Sequence, residues 1–325
     1  MKTKDVKLPE QKLQPHGTIF PLVKSPVESS VILADTLDWM KMNRAEIRQE
    51  MQAHGAVLLR GFPIKGAQDF EDFLEAGEFK NMPYVGGAAP RAQVTASRVL
   101  TANESPPQEP IPFHHEMAQV PAPPNYIFFY CDTPSPTGGE TAIVHSHTVY
   151  ERFRAIDPCY ADTVEMLGVK YRRVMPDQDD CSSPIGRSWR ATFQTQSKAE
   201  AEKVMVDAGM SWTWLEDGSL DTLTAPLKAI RLDERTGMKT FFNAIIAAFT
   251  GWVDQRNDPK KAVCLANGEP MNASILESTA KAMDEACVAF KWQQGDVLLI
   301  DNRLVLHSRR PFTGHRRILA SIATG

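Results

Sequence analysis

Hydrophobic and polar positions along this chain follow two periods, and each predicts its own kind of element. Short apolar runs bounded by glycine or turn residues read as buried strands. Residues 55–62, with Ala56, Val57, Leu58 and Leu59 between Gly55 and Gly61, are the first of these. Tyr126-Ile127-Phe128-Phe129-Tyr130-Cys131 is a second, by its aromatic composition. A third, residues 141–144, follows Gly138-Gly139, and further strand patterns fall at 211–215, 240–243, 297–306 and 317–322. The helical period appears at 67–76, where Phe70, Phe73 and Leu74 share a face, and at 146–153, where Ser146 can cap and Val149, Tyr150 and Phe153 recur. Residues 198–207 and 275–290 also read as helices.

Two stretches carry neither period. Residues 1–30 are polar and proline-spaced, which predicts an arm laid over the surface, with residues 31–325 as a single domain. Residues 81–112 are rich in Gly, Pro and Ala, and a loop of that length in a compact protein usually forms a lid or a pocket wall. Trp212 and Trp214 are spaced to share a strand face and are expected in the core. No repeat, heptad run or low-complexity tract interrupts the chain.

Composition narrows the partners. With 42% hydrophobic and 23% charged residues over 325 positions, the chain is of ordinary globular type and long enough for a large core. A formal charge of −4 offers no footprint for nucleic acid or an anionic membrane. Five cysteines without a close pair predict a reducing, cytoplasmic setting rather than a disulfide framework. The charged opening Met1-Lys2-Thr3-Lys4-Asp5 leads into no apolar run, and residues 241–249 are far too short for a membrane span of about 20 residues. A small-molecule substrate is the remaining expectation.

The candidate chemistry lies in His114-His115-Glu116 and in His307. On an extended strand, His114 and Glu116 face the same way. His307, at the end of the 297–306 run, can complete a set of two imidazoles and one carboxylate on one side of a metal. That is the facial triad of non-heme Fe(II) oxygenases, which leaves the opposite side open. His115 alternates away and is read as packing. His145 and His147 share the two-residue spacing but start a helix without a carboxylate, so capping or surface roles are expected there. Beyond His307, Pro311 and Gly314 predict a chain reversal. A residue ten positions on would then return beside the metal, and Arg317 fits. A guanidinium there can grip a carboxylate through two parallel hydrogen bonds.

Four segments, in order, resemble the Fe(II)/2-oxoglutarate dioxygenases of the taurine dioxygenase superfamily, most closely its clavaminate synthase-like branch. They are residues 55–62, Phe113-His114-His115-Glu116-Met117, Gly138-Gly139-Glu140-Thr141, and Asp301-Asn302-Arg303 through His307 to Arg316-Arg317. The resemblance implies an α+β fold, a double-stranded β-helix (jelly roll) core braced by helices. It implies His114, Glu116 and His307 as ligands of Fe(II). Arg317 would bind the distal carboxylate of the cosubstrate 2-oxoglutarate, and the Thr141 hydroxyl would add a hydrogen bond. The reaction it implies consumes O2, converts 2-oxoglutarate to succinate and CO2, and attacks an unactivated C–H bond. The arginine with which taurine dioxygenase holds its sulfonate would fall at Ser321, so taurine itself is not the expected substrate.

The expected substrate is a small polar metabolite, an amino acid or derivative, free or carrier-bound. Tyr84, Arg98, Glu104 and Asn243 lie on segments expected to line its pocket. Hydroxylation is the default outcome, with desaturation or oxidative cyclisation as the alternative. Halogenation is disfavoured because Glu116 occupies the ligand position that chloride would need. A zinc-dependent hydrolase or a non-catalytic jelly-roll binding protein remain the readings of other classes.

Overall fold

The computed structural model describes every residue except Pro15. One large mixed sheet and one small sheet face each other across an apolar layer. In the large sheet, Thr3–Asp5, Leu22–Pro26, Ala56–Leu59, Val297–Asp301, Tyr126–Thr133, Arg317–Thr324 and Lys80–Asn81 lie side by side in that order, with Leu100–Thr101 also on Arg317–Thr324. The small sheet runs Thr141–His145, Val305–Arg309, Ile111–His114, all antiparallel.

Burial on both faces explains why the central strands read as continuous apolar runs. Along Val297–Asp301, Leu298 and Ile300 point into the layer between the sheets, where Ile127, Phe129, Ile143 and Val305 meet them. Val297 and Leu299 point the other way, onto Phe70, Phe73, Met40 and Met51. Those four belong to the helices Ala67–Ala76, Leu33–Met42 and Arg44–His54. The outer face of the small sheet is covered by Ser146–Ile156 and Ala273–Ala286, with Val144, Leu306, Phe153 and Leu276 in one cluster. Burying a side chain of this kind contributes roughly 1.5–3 kcal/mol, so each central strand is held from two sides.

Four expectations change. The first thirty residues are no surface arm: Phe20 and Val23 are fully buried, and Leu22–Pro26 runs parallel to Ala56–Leu59 inside the large sheet. The 297–306 run is two strands in two different sheets, divided by a turn in which Leu304 N bonds Asp301 O. Residues 240–243 contribute only the end of Met238–Thr240. Trp212 and Trp214 do share one face, but they are half-buried on a satellite cluster with Met205 and Trp189.

Candidate active site

Two neighbouring strands of the small sheet bring the distant ligand candidates together. His307 stands directly opposite His114 in the antiparallel register, so the two rings lie 4.3 Å apart between centroids. Glu116 joins them from beyond the strand end rather than from the strand, which stops at His114. The backbone turns there with Met117 at φ +53°, a left-handed conformation that a buried side chain adopts only under constraint. Asn302 supplies that constraint. Its side-chain oxygen accepts from Glu116 N at 2.7 Å, and its amide donates to Glu116 O at 3.1 Å and Pro124 O at 2.8 Å. The Asp301-Asn302-Arg303 segment thus locks the turn that aims the carboxylate.

Donor atoms of His114, Glu116 and His307 all lie within 4.8 Å of one another, and no other such group of three exists among the described residues. His307 Nε2 is 3.5 Å from Glu116 Oε2. An octahedral ion with bonds of about 2.1 Å holds adjacent donors about 3 Å apart, so small rotations suffice to seat one. The His114 Nδ1–H donates to Pro112 O at 2.8 Å, which leaves Nε2 as a free lone pair, while His307 Nδ1 is buried without a partner. Burial, with His307 alongside, pushes His114 down to about 4. Burial works against the Glu116 carboxylate, but Arg91 and the two imidazoles outweigh it and hold it at about 2. A neutral imidazole and an ionised carboxylate are the ligand-competent forms, and the donor set fits a divalent iron.

The cavity over these residues encloses about 110 Å³ and is walled by Tyr84, Met117, Phe129, Ile318 and residues of the 88–112 loop. Thr141 lies on it, its hydroxyl accepting from Trp292 Nε1 at 3.2 Å. Arg317 does not. It is exposed and pairs with Asp132 at 2.9 Å on the outer face. Arg316 lines the cavity instead, its Nε donating to Gly139 O at 2.9 Å. The physical reason is strand parity. Ile318, Ala320 and Ile322 face the inter-sheet layer, so Arg316 points inward with them and Arg317 points away. The reversal after His307 also crosses to the large sheet: Arg317–Thr324 pairs with Tyr126–Thr133, not with Val305–Arg309. Burial, with Arg309 beside it, lowers Arg316 to about 10, and Arg316 has no acidic partner among the described residues. Arg309 is committed elsewhere, donating to the carbonyls of Ser105, Pro106 and Glu109 and so fastening the loop.

Of the other candidates, only Tyr84 lines the cavity. Arg98 is buried against Phe79 O and Ser321 Oγ, Glu104 is exposed, and Asn243 bonds Ala229 O and Ile245 N. Each therefore serves the loops or faces solvent. His115 packs as expected, fully buried, stacked on Phe242 at 4.4 Å and bonded to Ser146 Oγ at 2.9 Å. His145 is buried beside Phe20, and His147 bonds Lys239 O. Sequence reasoning missed Arg91, whose Nη2 lies 3.0 and 2.9 Å from the two Glu116 oxygens. Only its place in the aperiodic 81–112 segment could have drawn attention to it.

The sequence matches the family described as taurine catabolism dioxygenase TauD, TfdA family, over residues 18–322. The chain belongs to that family and is a dioxygenase dependent on Fe(II), 2-oxoglutarate and O2. It is similar to a clavaminate synthase-like protein of Arabidopsis thaliana, 49% identical over 97% of this chain and 96% of that one. A dapdiamide synthesis protein, DdaC, of Enterobacter agglomerans is 28% identical over 93% of each chain. Among solved structures, AAD-2 in complex with Mn(II) and N-oxalylglycine superposes with a TM-score of 0.58 at 13% identity, covering 100% of this chain and 99% of that one. Among the described residues, no helix is long and apolar enough to cross a membrane.

Proposed function

We propose that this chain hydroxylates an unactivated C–H bond of a small polar metabolite, an amino acid or derivative, free or carrier-bound, with release of succinate and CO2. The observation that carries this reading is the convergence of His114, Glu116 and His307 on one cavity that Arg316 and Thr141 also line. Iron held by the three side chains would supply the oxidising power, with 2-oxoglutarate and O2 as co-reactants.

The chain's own residues bind, orient and exclude. Pro112 O fixes the His114 ring so that only Nε2 faces the centre, and Asn302 fixes the Glu116 turn. Phe129 packs edge-on to His307 at 5.2 Å and keeps that ring from swinging. Arg316, with no acid of its own, would take the distal carboxylate of 2-oxoglutarate, and Thr141 would donate its hydroxyl proton to the same group. The apolar wall of Met117, Phe129 and Ile318 keeps water from the reacting carbon. A second cavity of about 370 Å³, mostly apolar, shares Gln119 and Trp252 with the first and offers room for the body of a larger or carrier-borne substrate. The two facing sheets are read as a jelly roll forming one domain, and five free cysteines fit a reducing cytoplasm.

Anaerobic addition of Fe(II) and 2-oxoglutarate should give a weak visible charge-transfer band, and O2 should then release succinate. Both are expected to vanish in His307→Ala. Succinate release at wild-type rate from that variant would refute the assignment. A screen of amino acids and related amines on the loaded protein should find ligands that raise the melting temperature.

A further inference from the structure

Three guanidiniums cluster beside Glu116, one of them, Arg91, on the cavity wall. Arg91 and Arg187 flank the buried Tyr84 ring, their guanidinium carbons 4.6 and 4.9 Å from its centroid. Arg173 lies behind them, bonded to Thr192 Oγ1 at 2.8 Å and Arg187 O at 3.3 Å. Of the three guanidiniums only Arg91 is ion-paired, to Glu116, with both side chains almost sealed at 4% and 3% exposure; Asp254 and Asp179 act on Arg173 and Arg187 only from beyond ion-pair distance. Neither Arg173 nor Arg187 has an ion pair among the described residues.

The Arg91–Glu116 pair is also incomplete in its geometry. A guanidinium normally meets a carboxylate with two nitrogens, one per oxygen. Here one nitrogen, Nη2, serves both oxygens, while Nε and Nη1 are buried without any partner. The oxygens that Arg91 holds are the ones a metal would need. A divalent ion bound through one oxygen would leave Arg91 at most the other, and the two positive charges repel, so each weakens the other's hold. Once the carboxylate is shared with the metal, the buried Arg91 charge is only partly neutralised, a costly state. The cavity that Arg91 lines is the place from which a new counter-ion must come.

We propose that Arg91 is a displaceable counter-ion: it neutralises Glu116 until the metal arrives, and then turns its fork, Nη2 together with one of the unpartnered nitrogens Nε or Nη1, to a carboxylate on the substrate. This rests on Glu116 being a metal ligand. Two consequences follow from linkage. Arg91 weakens metal binding in the absence of substrate, and an anionic substrate and the metal each tighten the other. The class of substrate is thereby narrowed to one bearing a carboxylate near the oxidised carbon.

The test measures the Mn(II) dissociation constant of the full chain by the signal of free Mn(II), with sodium acetate as the carboxylate probe, acetamide as the neutral control and 2-oxoglutarate as a separate arm. Arg91→Gln is expected to bind Mn(II) at least tenfold more tightly than wild type. Acetate should tighten Mn(II) binding severalfold in wild type, acetamide should not, and acetate should lose its effect in Arg91→Gln. Arg91→Lys, which keeps the charge but lacks the fork, should retain weak metal binding and lose the acetate effect; it also serves if the Gln variant does not fold. Equal Mn(II) affinity in wild type and both variants would overturn the proposal. So would a loss in Arg91→Gln confined to the 2-oxoglutarate arm, since the carboxylate would then be the cosubstrate's own. His307→Ala separates the two readings. If it leaves Mn(II) binding intact, the metal centre itself is misplaced; if it abolishes binding while the Arg91 variants match wild type, only the counter-ion role falls.

Discussion

Exchanging the roles of two adjacent arginines gives the sharpest test of the site. Arg316 faces the cavity, donates only Nε to Gly139 O and has no acid among the described residues, so its terminal nitrogens are free for a ligand carboxylate. Arg317 is spent on a pair with Asp132 whose side chains are 43% and 22% exposed. Hydrogen bonds to a charged group contribute roughly 1.5–3 kcal/mol. Losing the fork in Arg316→Ala is expected to cost 2-oxoglutarate binding about 2–4 kcal/mol, or roughly 30- to 1000-fold in KM at about 1.4 kcal/mol per factor of ten. Arg316→Lys keeps a charge without the planar fork and should lose on the order of tenfold. Arg317→Ala removes an exposed pair worth about 0–1 kcal/mol to stability and should leave KM unchanged. Succinate release as a function of 2-oxoglutarate concentration reads all three, with thermal melts checking the fold. A raised KM in Arg317→Ala alongside a normal one in Arg316→Lys would show that the strand parity argued above is wrong.

Three further outcomes are expected. A Cβ at Gly139 would lie 2.4 Å from Ser135 Oγ and 2.9 Å from Arg316 Cδ at a φ of +74°, so Gly139→Ala should lower stability by about 1–3 kcal/mol and raise the KM for 2-oxoglutarate, both read from the same melts and titrations. Asn302→Ala frees the Glu116 turn and leaves Glu116 N without its acceptor; Fe(II) affinity should fall about 10- to 100-fold by equilibrium titration, and an unchanged affinity would remove Asn302 from the positioning role. Burial pushes His145 from 6.5 down to about 3, so the folded state refuses a proton that the unfolded chain accepts below 6.5. Its contribution is present above that pH and is lost as pH falls toward 3, with a slope of at most about 1.4 kcal/mol per pH unit. Urea unfolding at pH 6 and pH 5 should therefore show a shallower pH dependence in His145→Gln than in wild type, and parallel slopes would contradict the assignment.

Much of the site was readable because its chemistry is local. The pairing of His114 with Glu116, the lone His307 and the glycines before Thr141 stand out without coordinates, since metal ligation and tight turns demand particular residue types. The helices at Ala67–Ala76 and Lys198–Asp207 matched their apolar spacing to the residue. Leu33–Met42 and Arg44–His54 did not announce themselves. The second has a weakly apolar face, Ile47 and Met51, and only packing on the large sheet makes it a helix boundary worth defending. The strand at Leu22–Pro26 was hidden for a similar reason: Pro21, Lys24 and Ser25 mask a buried core of Leu22 and Val23.

What the order of residues determines by itself is the inventory: which side chains can bind a metal, where the chain can turn and which runs must be buried. It does not determine which face of a strand looks inward when both neighbours are apolar, as Ile318 and Leu319 are. That parity, and with it the choice between Arg316 and Arg317, was decided by the two-sided burial of Arg317–Thr324 between the inter-sheet layer and the helices. The Arg91–Glu116 contact likewise depends on an aperiodic loop closing over the small sheet, held by Arg309 through four backbone carbonyls. Loops without a period carry no register, so only the packed molecule places their charges.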